Sequence, residues 1–319
     1  MIHIMTIHPE VASAAAPSTA PVALQLDTRG PYDLAQVAMM GFGHRHELSF
    51  DGVMRLAFCL DGDYERQVGV EVRQHDERLA LVVRTPREAA PLDPDELITV
   101  KAQVARVVSV DHDGCAFAQM CQADPVLSRL HAGAAGFRPA LFYSPYEAAV
   151  WSIISARRAR PQGIGLRQRL ATEFGATFEL AGVNTSAVPT PTQLLALDTV
   201  PGLPTDRVPR LHAVAEAAQR GELTAARLAA MDPDAARAEL QRLPGIGPFY
   251  SSLIVVRACG LADVLSTEET HSRDAVEQLY QLDHPLSAPD YAQLAQSWRP
   301  FRTWVAVLAR VVVPRLDAA

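Results

Sequence analysis

Lysine is almost missing from this chain: Lys101 is the only one in 319 residues. Amine-based Schiff-base chemistry therefore has almost nothing to work with. Cysteine is scarce and scattered. Cys59, Cys115, Cys121 and Cys259 match neither a zinc-site spacing nor the disulfide framework of a small secreted domain. No apolar run reaches the roughly 18 to 20 residues that a membrane helix needs, so no membrane partner is expected. The opening residues, MIHIMTIHPEVASAAAPSTAPVA, place no Lys or Arg ahead of their apolar positions. They lack the charged start of a signal peptide, and a reduced, cytoplasmic protein is the expectation. An excess of positive charge is absent too, with a formal net charge of −7. Taken alone, that balance argues against nucleic-acid binding. Local distribution qualifies it. Residues 155–170, SARRARPQGIGLRQRL, hold Arg157, Arg158, Arg160, Arg167 and Arg169 with no acid. The stretch reads as a solvated helix face or as a phosphate-contacting patch.

What is present is ordinary globular material, 49% hydrophobic and 20% charged, enough for one to three domains with real cores. Residues 1–28, rich in Ala, Pro, Ser and Thr, read as a flexible tail. Residues 29–135 read as an α+β domain. HELSFDGVMRLAFCLDG and QVGVEVRQHDERLALVVRT alternate apolar residues around Asp-Gly or charged turns, which predicts antiparallel strands. DELITVKAQVARVVSV then spaces Leu97, Val100, Val104 and Val107 as a helix does. Residues 136–319 read as an all-α domain. SPYEAAVWSIISARRA opens with a Ser cap, Pro and Glu, and PTPTQLLAL opens with a Thr cap. TDRVPRLHAVAEAAQRGE, DPDAARAELQRL and APDYAQLAQSWRPFRTWVAVLARVVV follow with helical spacing. No internal repeat is visible.

The most specific local motif is DAARAELQRLPGIGPFYSSLIVVRACG, residues 234–260. One helix ends near Leu243, Pro-Gly-Ile-Gly makes a tight turn, and a second helix starts near Pro248. Gly245 and Gly247 let backbone approach a ligand with no Cβ in the way. The helix N-terminus behind them offers N–H groups to an anion. This describes a main-chain grip on a DNA phosphate, made with dipoles rather than lysines, by Leu243, Gly245, Ile246 and Gly247. A plain helical turn would look similar, but L-P-G-I-G between two amphipathic helices is narrower. A second Pro-Gly junction, VPGLPTDRV at residues 200–208, reads as structural.

LPGIG, followed by a helix and then a carboxylate, resembles the helix–hairpin–helix DNA glycosylase superfamily, and most of all the 3-methyladenine DNA glycosylase II branch. The resemblance runs over about residues 30–312. PYDLAQVAMMGFG (31–43) is similar to the opening of that branch, RPALFYSPYEAAVWSII (138–154) to the start of its helical domain, and PTPTQLLAL and SWRPFRTWVAVLARV to later parts. It implies an N-terminal antiparallel-sheet domain with helices, followed by a helical domain split around a cleft. Double-stranded DNA would be bent and a damaged base flipped into that cleft by a monomer. It implies no cofactor, although carbonyls of the hairpin could hold a monovalent cation. No cysteine follows Cys259, so the four-cysteine iron–sulfur loop of some relatives is missing. The lysine of bifunctional relatives is replaced by Phe249, so hydrolysis without lyase activity is implied.

A flipped base is held by stacking on aromatic or apolar faces. Phe249, Tyr250, Phe301 and Trp151 are the candidates, Phe249 and Phe301 on comparison with the family, and ordinary core is the competing reading for each, as it is for Trp304. Arg157 occupies the place where the family wedges a residue into the gap left by the base, and Arg158 stands beside it. Breaking an N-glycosidic bond builds positive charge on the sugar, and a carboxylate can stabilise it and orient water. The family uses Asp for this. Twenty-two residues after Gly247 the chain has Glu269 instead, an arm longer by about 1.5 Å. Glu268 and Asp274 are substitutes of lower rank. Ser266-x-x-Glu269 is also a capping-box pattern, with Ser266 as the cap. Two functions follow: a glycosylase for alkylated purines, of the 3-methyladenine type, or a damage-recognition protein that keeps the hairpin without the chemistry. His44, His46 and the Asp111-His112-Asp113 run read as surface loops rather than metal ligands.

Overall fold

A computed structural model of the protein describes residues 20–40, 43, 49–267 and 269–316. His44, His46 and Glu268 lie outside the described residues. The N-terminal half begins with strand β1 (Val22–Asp27), helix α1 (Leu34–Met39), β2 (Met54–Leu60), β3 (Asp63–His75), β4 (Arg78–Arg84) and α2 (Pro94–Val107). The strands form one antiparallel sheet in the order β1-β4-β3-β2. Residues 22–27 therefore do not belong to a tail. VALQLD alternates, and Leu24 and Leu26 stand opposite Leu81 and Leu79. A six-residue period-2 pattern was enough to make an edge strand. α2 is fixed by a capping box between Asp93 and Glu96, and its Val100, Val104 and Val107 pack in the core shared with the sheet.

The remainder is mainly helical: α3 (Gly114–Gln122), α4 (Pro125–Ala132), α5 (Pro145–Ser155), α6 (Arg160–Phe174), α7 (Pro191–Leu195), α8 (Val208–Gln219), α9 (Ala225–Ala229), α10 (Pro233–Leu240), α11 (Pro248–Ala258), α12 (Thr270–Tyr280), α13 (Ala288–Leu294) and α14 (Arg302–Leu316). It is not all-α. A hairpin of β5 (Thr177–Leu180) and β6 (Val183–Ser186) interrupts it. The hairpin lies against the sheet, and Phe178 presses on β3 where Gly69 has no side chain: a Cβ there would stand 2.6 Å from the ring. Arg55 of β2 donates to the Leu180 carbonyl at 2.9 Å. The expected helix across 288–313 is broken at Pro300, between α13 with its following 3-10 turn and α14. No helix among the described residues is long and apolar enough to cross a membrane.

Helical packing divides differently from a boundary at residue 135. One core joins α5, α6, α8, α10 and α11 through residues such as Tyr146, Ile153, Leu211, Leu240, Ile246 and Ile254. A second core joins α3 and α4 to α12, α13 and α14 through Phe117, Leu130, Val276, Tyr291 and Trp304. Helices from before residue 135 thus complete the C-terminal lobe. Arg138 is buried where the chain passes between them. It donates to the carbonyls of Arg29, Pro31, Ser109 and His112 and lies over the rings of Tyr32 and Trp304. A cleft opens between α11 of the first lobe and α12 and α14 of the second.

Candidate active site

The hairpin forms as its residues dictate. α10 is capped by Asp232 and ends at Leu240, and the turn leads through Gly245, at φ +91°, to Gly247 as N-cap of α11 with Pro248 in its first turn. A positive φ favours glycine. A Cβ on Gly245 would stand 2.9 Å from Ile153 Cδ1 and 3.1 Å from Arg210 Cδ, whereas one on Gly247 would meet nothing within 4 Å. Ile246 is buried in the first core and pins the turn, while its N–H donates to the Leu243 carbonyl. Leu243 packs on the same core. The exposed part of the turn is Pro244 and the backbone at Gly245.

Arg210 lies beside it, and arginines from two loops cluster with Arg210. Arg157 follows α5, is exposed, and has φ +56°. Arg158 turns back, donating to the carbonyls of Ile154 at 3.3 Å and Gly202 at 3.0 Å. Arg207 donates to Ile153 and Ala156 carbonyls, both at 3.0 Å. Burial, then repulsion from Arg158 and Arg210, holds its guanidinium below the ordinary arginine value. Arg207 comes from the second Pro-Gly junction, which was read as structural, and Arg210 from the first turn of α8 that follows it. The rest of the 155–170 run does other work. Arg167 is buried against Glu147 at 3.4 Å, and Arg160 donates to the Gly43 carbonyl at 3.3 Å.

α11 carries the first wall of the cleft, with Phe249, Ser252, Leu253, Val256 and Arg257. Val264, Ser266, Glu269 and Ser272 form the second, and Thr303, Ala306, Val307 and Arg310 of α14 the third. The α14 residues recur at helical spacing along one face. The cleft is open to solvent on one side, and the space within it, counted out to the mouth, is about 630 Å³. Its walls are chiefly aliphatic, and Phe249, 56% exposed, stands at its mouth edge-to-face on Tyr250. Thr303 fastens the segment that leads to Glu269, accepting from Val264 N–H at 3.0 Å and donating to the Leu261 carbonyl at 2.8 Å. Asp263 is paired with Arg302 at 2.8 Å and Arg299 at 2.9 Å.

Glu269 is itself the N-cap of α12: its Oε2 accepts from Ser272 N–H at 2.9 Å and from the Ser272 hydroxyl. Ser266 is not the cap; its hydroxyl meets that of Ser252 at 3.2 Å. The helix begins three residues later than the capping-box pattern predicted, because Glu269 has the extended backbone and the accepting side chain. The other oxygen, Oε1, lies 3.4 Å from the Arg310 guanidinium. The carboxylate is 20% exposed. Asp274 is exposed on α12 and does not line the cleft.

Three aromatic expectations are corrected in placement. Phe301 precedes α14 and is buried against Phe117 and Trp304, with centroids at 5.4 and 5.3 Å. The α14 face that turns to the cleft starts two residues later. Trp151 lies in the wholly buried α5, beside Gly163. Tyr250 is half-buried with its hydroxyl 3.3 Å from that of Ser155, joining α11 to α5. Of the four, Phe249 alone lines the cleft. Asp113 caps α3, and His112 reaches the Gly260 carbonyl at 2.7 Å. Burial pushes the thiols of Cys121 and Cys259 up to about 12, which makes both poor nucleophiles at neutral pH.

No family model matches the chain. It is 26% identical over 298 residues to a probable bifunctional transcriptional activator/DNA repair enzyme AlkA of Mycobacterium tuberculosis, with 91% of this chain and 57% of that protein covered. The chain thus spans little more than half the length of the curated relatives it matches. Among solved structures, the 3-methyladenine DNA glycosylase of Archaeoglobus fulgidus superposes with a TM-score of 0.72 at 18% identity, covering 93% of this chain and all of that one. MBOgg1 in complex with a low-affinity DNA ligand superposes with a TM-score of 0.70 at 18% identity, covering 92% and 96%. The fold is that of these DNA glycosylase structures, and the sequence likeness is to AlkA-type proteins of DNA repair.

Proposed function

We propose that the protein is a monofunctional DNA glycosylase of base-excision repair that binds damaged double-stranded DNA and hydrolyses the N-glycosidic bond of a flipped purine, of the alkylated class to which the resemblance points. The observation that carries this reading is that one helix serves both ends of the task. α11 starts at the hairpin turn, and its side chains wall the cleft on which Glu269 opens. Backbone of the Leu243–Gly247 turn would hold a phosphate, with Arg157 and Arg210 adding charge. Glu269 would stabilise positive charge on the sugar and orient the attacking water. The single lysine, Lys101, sits on α2 away from the cleft lining, which supports hydrolysis without a Schiff base.

Release of methylated purines from alkylated duplex DNA, measured for the wild type and Glu269→Gln, tests the reading. Wild-type release should be lost by roughly 10²- to 10⁴-fold in the variant. The engagement of both Glu269 oxygens, by Ser272 and Arg310, favours the second reading of a damage-recognition protein. Tight binding to damaged DNA with no release by the wild type would select it.

A further inference from the structure

We propose that Arg310 is a specificity-determining residue that turns the cleft toward damaged purines with an uncharged ring, and away from cationic ones such as 7-methylguanine and 3-methyladenine. This inference rests on the glycosylase reading and keeps its chemistry, but departs from its alkylated-purine class. Among the described residues, two arginines line the cleft, Arg257 and Arg310, against one carboxylate, Glu269. Arg310 comes from the face of α14 opposite α11, with its side chain 51% exposed and its guanidinium 3.4 Å from Glu269 Oε1. Arg257 is buried and donates to the Ala140 carbonyl at 2.7 Å, so its charge is fixed in place.

A cationic base entering here meets like charge in a partly desolvated site, where Coulomb repulsion is weakly screened. The opposite charge that would welcome it is already engaged by Arg310 and Ser272. Nor do the walls supply the stacked aromatic faces that attract a cation. Among the described residues, Phe249 is the only aromatic one in the lining, and it stands at the mouth.

An uncharged base poses the complementary problem. When the bond from sugar C1′ to the base nitrogen breaks, both electrons leave with the base, which departs as an anion. A water oxygen bonds C1′, one water proton passes to the Glu269 carboxylate, and the base anion takes a proton from solvent. A guanidinium in the pocket stabilises the developing negative charge and donates to carbonyl or ring-nitrogen acceptors on the purine edge. A cationic base leaves neutral and needs neither service. Deaminated adenine, which is uncharged and carries a carbonyl, is the representative probe.

The test uses full-length protein and duplexes with a single hypoxanthine or a single 7-methylguanine, in single-turnover release assays of the wild type, Arg310→Gln and Arg310→Lys. Thermal melts confirm folding, which a half-exposed side chain should not disturb. The ratio of hypoxanthine to 7-methylguanine release should fall at least tenfold in Arg310→Gln and be largely restored in Arg310→Lys. Release of 7-methylguanine with a ratio that Arg310→Gln leaves unchanged overturns this inference while the glycosylase reading stands. Release of neither base by the wild type overturns both.

Discussion

At the scale of single residues, the site turns on how Glu269 is held. The longer arm lines the cleft without hanging free in it. It folds back to cap its own helix through Ser272, and Arg310 meets the remaining oxygen. Glu269→Asp would keep a good cap, since Asp is among the best N-cap residues. It would withdraw the carboxylate by about 1.5 Å, and a displacement near that size costs on the order of a hundredfold in rate. Single-turnover release should therefore fall by about two orders of magnitude while the melting temperature barely moves. An unchanged rate would show that the arm length is immaterial. The position of Glu269 could be counted in the sequence. Its partners could not, because Arg310 lies 41 residues away and only the packing of α14 brings it near.

His131 gives a second residue-scale expectation. It sits in the last turn of α4, where the helix dipole favours a cation, yet burial against Phe117 wins and lowers its pKa below the ordinary value. The unfolded chain then binds the proton first as pH falls, so stability declines through about pH 6.5 and continues down to the lower folded value. Melting temperatures recorded from pH 7.5 to 5.5 should fall less in His131→Gln than in the wild type. Equal slopes would mean that the ring is solvated in the folded protein.

At the scale of elements, the hairpin offers a separation of folding from binding. Gly245→Ala forces a side chain onto φ +91° and into Ile153 and Arg210, a strain of about 1–2 kcal/mol or more. Gly247 has ordinary φ and open space around it. Gly247→Ala should therefore leave the melting temperature nearly unchanged yet weaken duplex binding severalfold, because the new methyl group stands where backbone would approach a phosphate. Titration of labelled duplex at fixed salt checks it, and full affinity in Gly247→Ala would remove this turn from the interface. L-P-G-I-G was legible because tight-turn chemistry is local. The arginines beside it were not: Arg207 and Arg210, from the junction before α8 and from the start of α8, come near the turn only by tertiary packing. Phe301 lies outside this cleft for a related reason, since a sequence shows that an aromatic residue is near a helix start but not which way that helix faces. The β5–β6 hairpin went unseen because four-residue strands carry too little alternation to stand out from helical surroundings.

At the scale of the molecule, the sheet and the helices share a polar joint. Asp61, in the turn between β2 and β3, pairs with Arg106 at 2.8 Å with both side chains largely buried. It also accepts from Tyr64 at 2.7 Å and from the Ala225 N–H at 3.2 Å, at the start of α9. One carboxylate thus ties the sheet to α2 and to the first helical lobe. Asp61→Asn leaves the amide able to accept from Tyr64 and Ala225 but strands the Arg106 charge, a loss of roughly 3–5 kcal/mol for a broken buried pair. Replacing Arg106 by Met in the same chain removes the stranded charge and should recover much of that loss. The three tryptophans, Trp151, Trp298 and Trp304, all lie in the helical part, so their fluorescence reports on a region remote in sequence from the mutated turn. If the halves unfold as one cooperative unit, the urea midpoint read from tryptophan drops in Asp61→Asn together with the midpoint read from far-ultraviolet circular dichroism. A tryptophan midpoint that stays put while the circular dichroism transition splits would mean that the sheet comes apart alone, and that the helical lobes around the cleft hold themselves together without it.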